Sequence, residues 1–146
     1  MKKGILFLSV ILLCYACSVA PQKIEFGKDV CSYCDMAIVD RVHAAEVVTN
    51  KGKAFKFDAI ECLIHHLTEK NETDMAFVLV TDFLNPEVFI NATEAQYLIS
   101  EKIKSPMGAN LTAFSSKENA AYKNETFNNW KKIKEIIRKN TYLNNK

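Results

Sequence analysis

The chain has 146 residues, which is enough for one domain with a substantial core or for two small halves that share one. Its 19 basic and 17 acidic residues give a formal net charge of +2, and two of the basic residues, Lys2 and Lys3, belong to a short N-terminal segment that also contains the first apolar run. If that segment is removed, the mature chain is close to neutral. Its charge therefore gives no reason to expect a nucleic-acid partner.

The first residues predict export and a lipid anchor. Residues 5–13 are apolar but too few to span a bilayer, and Ala16 directly precedes Cys17. A small residue followed by Cys at the end of such a run resembles a bacterial lipobox. We predict a signal peptide over residues 1–16, lipidation of Cys17, a polar tether over residues 17–28, and a membrane-anchored protein that faces the periplasm. The alternative is ordinary secretion, with Cys17 paired elsewhere.

The next part of the chain alternates strand and helix patterns. Asn50, Lys51 and Gly52 form a hairpin-turn sequence between two short β-branched or aromatic runs. Asp58 then stands where a helix N-cap belongs, with Glu61 three residues later as the capping-box partner. We predict a helix that ends near residue 69, and strands over residues 36–39, 44–49, 54–57 and 76–80.

A similar pattern recurs in the second half. Ser115 follows a predicted strand as a second helix cap, with Glu118 three residues later and the helix continuing through Tyr122. The predicted strands of this half span residues 88–90, 95–99 and 111–114. We therefore predict an α+β fold of two small ββαβ-type units, about residues 29–82 and 83–146, packed together.

Residues 127–138 predict a C-terminal amphipathic helix. One stripe carries Phe127, Trp130, Ile133 and Ile137, and lysines cover much of the remaining surface. Such a helix either closes the core with a solvated basic face or lies on a membrane surface. The first interpretation is preferred.

The densest chemical signal is Cys31-Ser-Tyr-Cys34-Asp-Met36, which places two thiols and a thioether within six residues. Soft sulfur donors suit copper(I). A Cys-x-x-Cys pair alone also fits a disulfide, half of a zinc site or a redox pair. No second Cys-x-x-Cys completes a zinc site, although Cys62 and a His could in principle supply the missing ligands, and Met36 serves neither zinc nor redox exchange. The motif therefore favours a copper(I) site.

Other donor residues are less distinctive. Met107 lies in a loop between Pro106 and Gly108, where packing explains a Met less well than in a strand. His43, just before the second strand, is a possible auxiliary ligand. Cys62 falls on the apolar helix face and is predicted to be a buried small hydrophobe. His65 and His66 are adjacent, so they cannot both face one site, and partial exposure is predicted for each.

The motif and the segments after it resemble the NosL family of copper(I)-binding lipoproteins, which assist maturation of nitrous oxide reductase. Asp35 is one departure, since the family commonly has Gly there, and it adds a charge beside the site. The resemblance is carried by Cys31, Cys34, Met36, Ile38, Asp40, Ala44-Ala45-Glu46, Gly52, Phe57-Asp58, Cys62, Met107-Gly108, Ala113-Phe114 and Ala120.

The resemblance implies a non-enzymatic metallochaperone whose Cu(I) is bound by Cys34, Met36 and Met107. Cys31 is a possible further ligand. The implied partner is a copper-receiving assembly complex or nitrous oxide reductase itself. A function from a different class stays open, namely a periplasmic thiol-disulfide oxidoreductase that uses Cys31 and Cys34.

Overall fold

A computed structural model describes residues 19–116, 122 and 124–144. The predicted signal peptide and Cys17 lie outside the described residues. So does most of the helix predicted after Ser115, including Glu118.

The larger sheet contains four antiparallel strands. Strand β1 (Ala45–Thr49) pairs with β2 (Ala54–Phe57) on one side and with β3 (Met75–Thr81) on the other. Strand β4 (Phe89–Asn91) pairs with β3, so the order is β2-β1-β3-β4. The turn between β1 and β2 includes Gly52 at φ 80°, a backbone conformation that favours glycine. The predicted hairpin is confirmed, and β3 is an interior strand of this sheet.

Helix α1 (Ile60–His66) connects β2 to β3 and continues as a short 3₁₀ turn over Leu67–Glu69. Its apolar positions Ile60, Leu63 and Ile64 are fully buried. These residues pack the helix against the sheet at core spacing.

The predicted side-chain cap of α1 is wrong. The N-cap residue is Ala59, and it makes no side-chain cap hydrogen bond. Asp58 Oδ1 instead accepts a hydrogen bond from the Val39 N–H at 3.2 Å. The carboxylate therefore joins the helix start to the preceding loop.

The second sheet has two antiparallel strands, β5 (Gln96–Ile99) and β6 (Leu111–Phe114). Helix α2 (Trp130–Asn144) follows and begins three residues later than predicted. Its residues Trp130, Ile133 and Ile137 are buried in the same core cluster as α1. The apolar stripe therefore closes the core, as preferred above.

Within the described part of the chain, no helix combines the length and apolar character needed to cross a bilayer.

Over the residues that the structure describes, the fold is a mixed α/β arrangement with two antiparallel sheets and two α-helices. The order β1-β2-α1-β3 confirms a ββαβ unit in the first half. Strand β4, predicted within the second half, instead pairs with β3 in the first sheet, so β3 is not an edge strand. Residues 36–39 are not a strand, and a single bridge joins Val30 to Ala37 instead.

Candidate metal centre

The Cys-x-x-Cys segment is a tight reversal of the chain. Val30 and Ala37 form an antiparallel bridge, and the Cys31 N–H donates to the Met36 carbonyl at 2.8 Å. The Ser32 N–H donates to a carbonyl of β2 at 2.8 Å, which fixes the reversal against the larger sheet. The backbone therefore holds this short segment against the sheet instead of leaving it as a free loop.

Asp35 occupies the residue of this reversal at which the backbone is left-handed, with φ 59°. The Asp35 N–H donates to the Cys31 carbonyl at 3.1 Å, closing the turn. Glycine adopts this conformation without a Cβ penalty, and Asp is among the few other residues that tolerate it. The departure from Gly therefore preserves the turn and places an exposed carboxylate beside the two cysteines.

Three thiols meet where this reversal packs on α1. The Sγ atoms of Cys31, Cys34 and Cys62 all lie within 4.8 Å of one another. Cys31 and Cys62 have 0% exposure, whereas Cys34 is half-buried. All three are free thiols. Among the described residues, no other group of three His, Cys, Asp or Glu side chains has this geometry.

The surroundings of Cys31 favour a thiolate. The hydrogen bond from the Cys62 thiol lowers the pKa of Cys31, and burial opposes that shift. Backbone N–H groups donate to the same sulfur and lower its pKa further, namely those of Cys34, Asp58 and Tyr33. The net pKa of Cys31 lies well below its ordinary value, so this sulfur is ionised at neutral pH.

The other two sulfurs keep their protons. The hydrogen bond that Cys62 donates to Cys31 raises the pKa of Cys62, and burial and the negative charge nearby raise it further. Burial raises the pKa of Cys34, although the Met36 N–H opposes this shift by donating to its sulfur. This arrangement favours a single thiolate, at Cys31, with the protons kept on Cys34 and Cys62.

Cys62 is buried, as predicted, but the sequence did not indicate its place in the cluster. A single Cys at a core position of a helix resembles an ordinary small hydrophobe. The odd number of thiols left for the folded part was the available signal, since three thiols cannot all pair within one chain.

The two predicted methionine ligands lie on exposed loops. Met36 directly follows the Cys-x-x-Cys reversal and is 55% exposed, and Met107 is 39% exposed. The Met107 loop is joined to α1 because the Ser105 hydroxyl donates to the buried Glu61 carboxylate. Since Glu61 precedes Cys62, this loop is anchored next to the residue that supplies the third thiol.

His43 is positioned by other contacts. Its Nδ1 is 2.9 Å from Asp40 Oδ2, and its Nε2 is 3.3 Å from Thr112 Oγ1. Both ring nitrogens are therefore engaged, and His43 is not part of the thiol cluster. Because Thr112 lies in β6, the buried imidazole connects the loop before β1 to the second sheet.

The two adjacent histidines of α1 are partly buried, and each contacts an aromatic ring. His65 stacks on Tyr33, with ring centroids 5.3 Å apart. His66 packs against Phe55 and Phe57 at centroid distances of 4.7 and 5.1 Å. Burial lowers the pKa of both imidazoles, which favours the neutral form. Neither belongs to the three-thiol cluster.

Comparison with known proteins identifies a family and a similar solved structure. The sequence model of the NosL family matches residues 22–135. No curated protein matches the chain. The fold is similar to the crystal structure of the copper chaperone NosL from Shewanella denitrificans, with a TM-score of 0.65 and 21% identity, covering 78% of this chain and 95% of that one.

Proposed function

Because the chain belongs to the NosL family, we propose that it is a non-enzymatic copper(I) chaperone that holds the ion at the three-thiol cluster and delivers it to a copper enzyme. The observation that carries the proposal is the convergence of the Sγ atoms of Cys31, Cys34 and Cys62 within 4.8 Å. The similar NosL structure is that of a copper chaperone.

The donor chemistry supports copper(I) as the ion. Thiolates and thioethers are soft ligands that suit Cu(I), which is stable with two or three donors. Cys31 supplies a preformed thiolate, so one ligand binds without first losing a proton. A structural zinc site usually has four Cys or His ligands, and the cluster offers three.

The methionines complete the proposed site. Both are exposed: Met36 follows Cys34 by two residues, and the loop of Met107 is joined through Ser105 to Glu61, the residue before Cys62. We expect each thioether to bind Cu(I) more weakly than a thiolate and to exchange first. A ligand set of strong buried thiolates and weaker exposed thioethers suits an ion that must be retained and then released.

The location and the acceptor are further parts of the proposal. The Ala16-Cys17 junction supports a lipid anchor, which would hold the folded part at a membrane on its periplasmic side. The family resemblance supports nitrous oxide reductase, or its assembly complex, as the recipient of copper.

The thiol-disulfide alternative is disfavoured by the exposure of the thiols. A catalytic redox cysteine needs a lowered pKa together with access to a substrate. In this cluster the cysteine with the lowered pKa, Cys31, has 0% exposure, whereas the more accessible Cys34 has a raised pKa. An oxidoreductase would also tolerate replacement of Met36 and Met107, which a copper chaperone would not.

The experiment is to measure the copper content of nitrous oxide reductase purified from a deletion strain under copper-limited growth. We expect the polypeptide to be present but copper-deficient. Expression of the parent chain should restore copper, and so should a Val88→Ala control, because Val88 is an exposed residue outside the cluster. A Cys34→Ser variant should not restore it. A full copper complement in the deletion strain would contradict the delivery role.

A further inference from the structure

An aromatic pair joins the two segments that supply the thiols. The Tyr33 ring stacks on the His65 ring, with centroids 5.3 Å apart and an interplanar angle of 24°. Tyr33 lies between Cys31 and Cys34 in the sequence, whereas His65 is three residues after Cys62. Residues three apart share a helix face, so the stack connects the Cys-x-x-Cys reversal to the cysteine-bearing face of α1.

The same tyrosine also contacts the cluster through its backbone. Its N–H donates to the Cys31 sulfur and contributes to the lowered pKa of that thiol. The position of the Tyr33 ring and the geometry around Cys31 therefore depend on one short stretch of backbone. Displacing the ring away from α1 would move this stretch relative to Cys62.

The three thiols differ in their exposure to solvent. Cys31 and Cys62 have 0% exposure, whereas Cys34 is half-buried. Tyr33 is 46% exposed, so its ring has one side toward solvent while it stacks on His65. An incoming ligand that must also reach the buried sulfurs of Cys31 and Cys62 has to separate the reversal from α1. The stack of the two rings resists that separation.

We propose that Tyr33 and His65 form a clasp that limits the rate of copper(I) exchange. This inference rests on the proposed function, in which the cluster holds Cu(I). The clasp blocks the same path during loading and release, so it slows both directions and leaves the equilibrium affinity unchanged. Tyr33 and His65 are positioning residues in this account and do not bind the metal.

The test uses the purified, fully reduced chain loaded with one equivalent of Cu(I). Transfer to excess bathocuproine disulfonate is followed by stopped-flow absorbance, and the Cu(I) affinity is measured separately by equilibrium competition. Tyr33→Ala should accelerate transfer about fivefold, a size typical of losing one aromatic pair. Its affinity should stay within about twofold of the parent's. Tyr33→Phe keeps the ring and should transfer at the parent rate.

His65→Ala removes the other half of the clasp and should accelerate transfer as much as Tyr33→Ala does. The double variant should be no faster than either single variant, because both changes remove one interaction. Val39→Ala is the matched control, since Val39 is 63% exposed in the same part of the chain without being in the stack. It should transfer at the parent rate.

Two results would overturn the clasp. One is a parent-like transfer rate in both Tyr33→Ala and His65→Ala, and the other is a loss of affinity without a change in rate. If the parent itself fails to bind Cu(I), the proposed function fails with it. If the parent binds Cu(I) but the variants transfer it at the parent rate, only the clasp is rejected and the proposed function stands.

Discussion

Copper(I) binding should release about two protons at neutral pH. The bound ion needs thiolates, and the metal-free cluster contains one thiolate at Cys31 and two thiols at Cys34 and Cys62. The metal must therefore displace the protons of Cys34 and Cys62. A site made from Cys31, Cys34 and the two methionines would release only about one proton.

The pH dependence of the Cu(I) affinity follows from the number of protons that the metal displaces. A raised thiol pKa means that the proton is retained in the metal-free protein, so the Cu(I) affinity rises with pH until that pKa is passed. Each displaced proton changes the affinity about tenfold per pH unit, equivalent to about 1.4 kcal/mol. With two displaced protons, the affinity should rise about a hundredfold between pH 6 and pH 7.

Isothermal titration of the reduced protein in buffers of different ionisation enthalpy measures the proton count directly. Cys62→Ser should reduce the count from about two to about one, since one thiol no longer titrates. Serine is close to cysteine in size, so we expect this variant to keep the fold of the parent. A parent protein that releases one proton or none would refute the three-thiolate site.

Four further variants test the methionine ligands, the role of His43 and the lipid anchor. Met36→Leu and Met107→Leu conserve apolar volume, so thermal stability should change little. Each should weaken Cu(I) binding about tenfold in competition titrations, because a thioether ligand is lost. Unchanged Cu(I) affinity in both variants would eliminate the two methionines as ligands. His43→Leu loses its contacts to Asp40 and Thr112 and should lower the free energy of unfolding by about 2 kcal/mol in urea titration, whereas a marked loss of Cu(I) affinity would restore it as a ligand. Cys17→Ala should release the protein from membrane fractions or leave an unprocessed precursor, and retention of a cleaved, unlipidated chain would contradict the anchor.

The local pattern of the first half was predictable because its signals are short-range. The turn residues before β2 set the hairpin, and strand β2 has the predicted bounds, Ala54–Phe57. The apolar periodicity of α1 gave its buried face. Its cap was not predictable, because Asp58 bonds to Val39 nineteen residues earlier in the chain and no local rule anticipates that contact.

The centre was only partly predictable because it is assembled from distant segments. The Cys-x-x-Cys-x-Met spacing is local and indicated copper(I). The contribution of Cys62 depends on how the reversal packs on α1, and sequence periodicity gives only its burial. His43 lies near the motif in sequence, yet Asp40 engages one of its ring nitrogens and Thr112 of the second sheet engages the other.

Metal competition on the reduced chain shows whether sulfur ligands hold copper(I) in this protein. Cu(I) and Zn(II) are offered together, the bound metals are counted, and X-ray absorption identifies the donor atoms of the bound ion. The account predicts about one Cu(I) per chain with a first coordination sphere of sulfur and little bound zinc. Preferential retention of zinc, or a copper site dominated by nitrogen or oxygen donors, would contradict it.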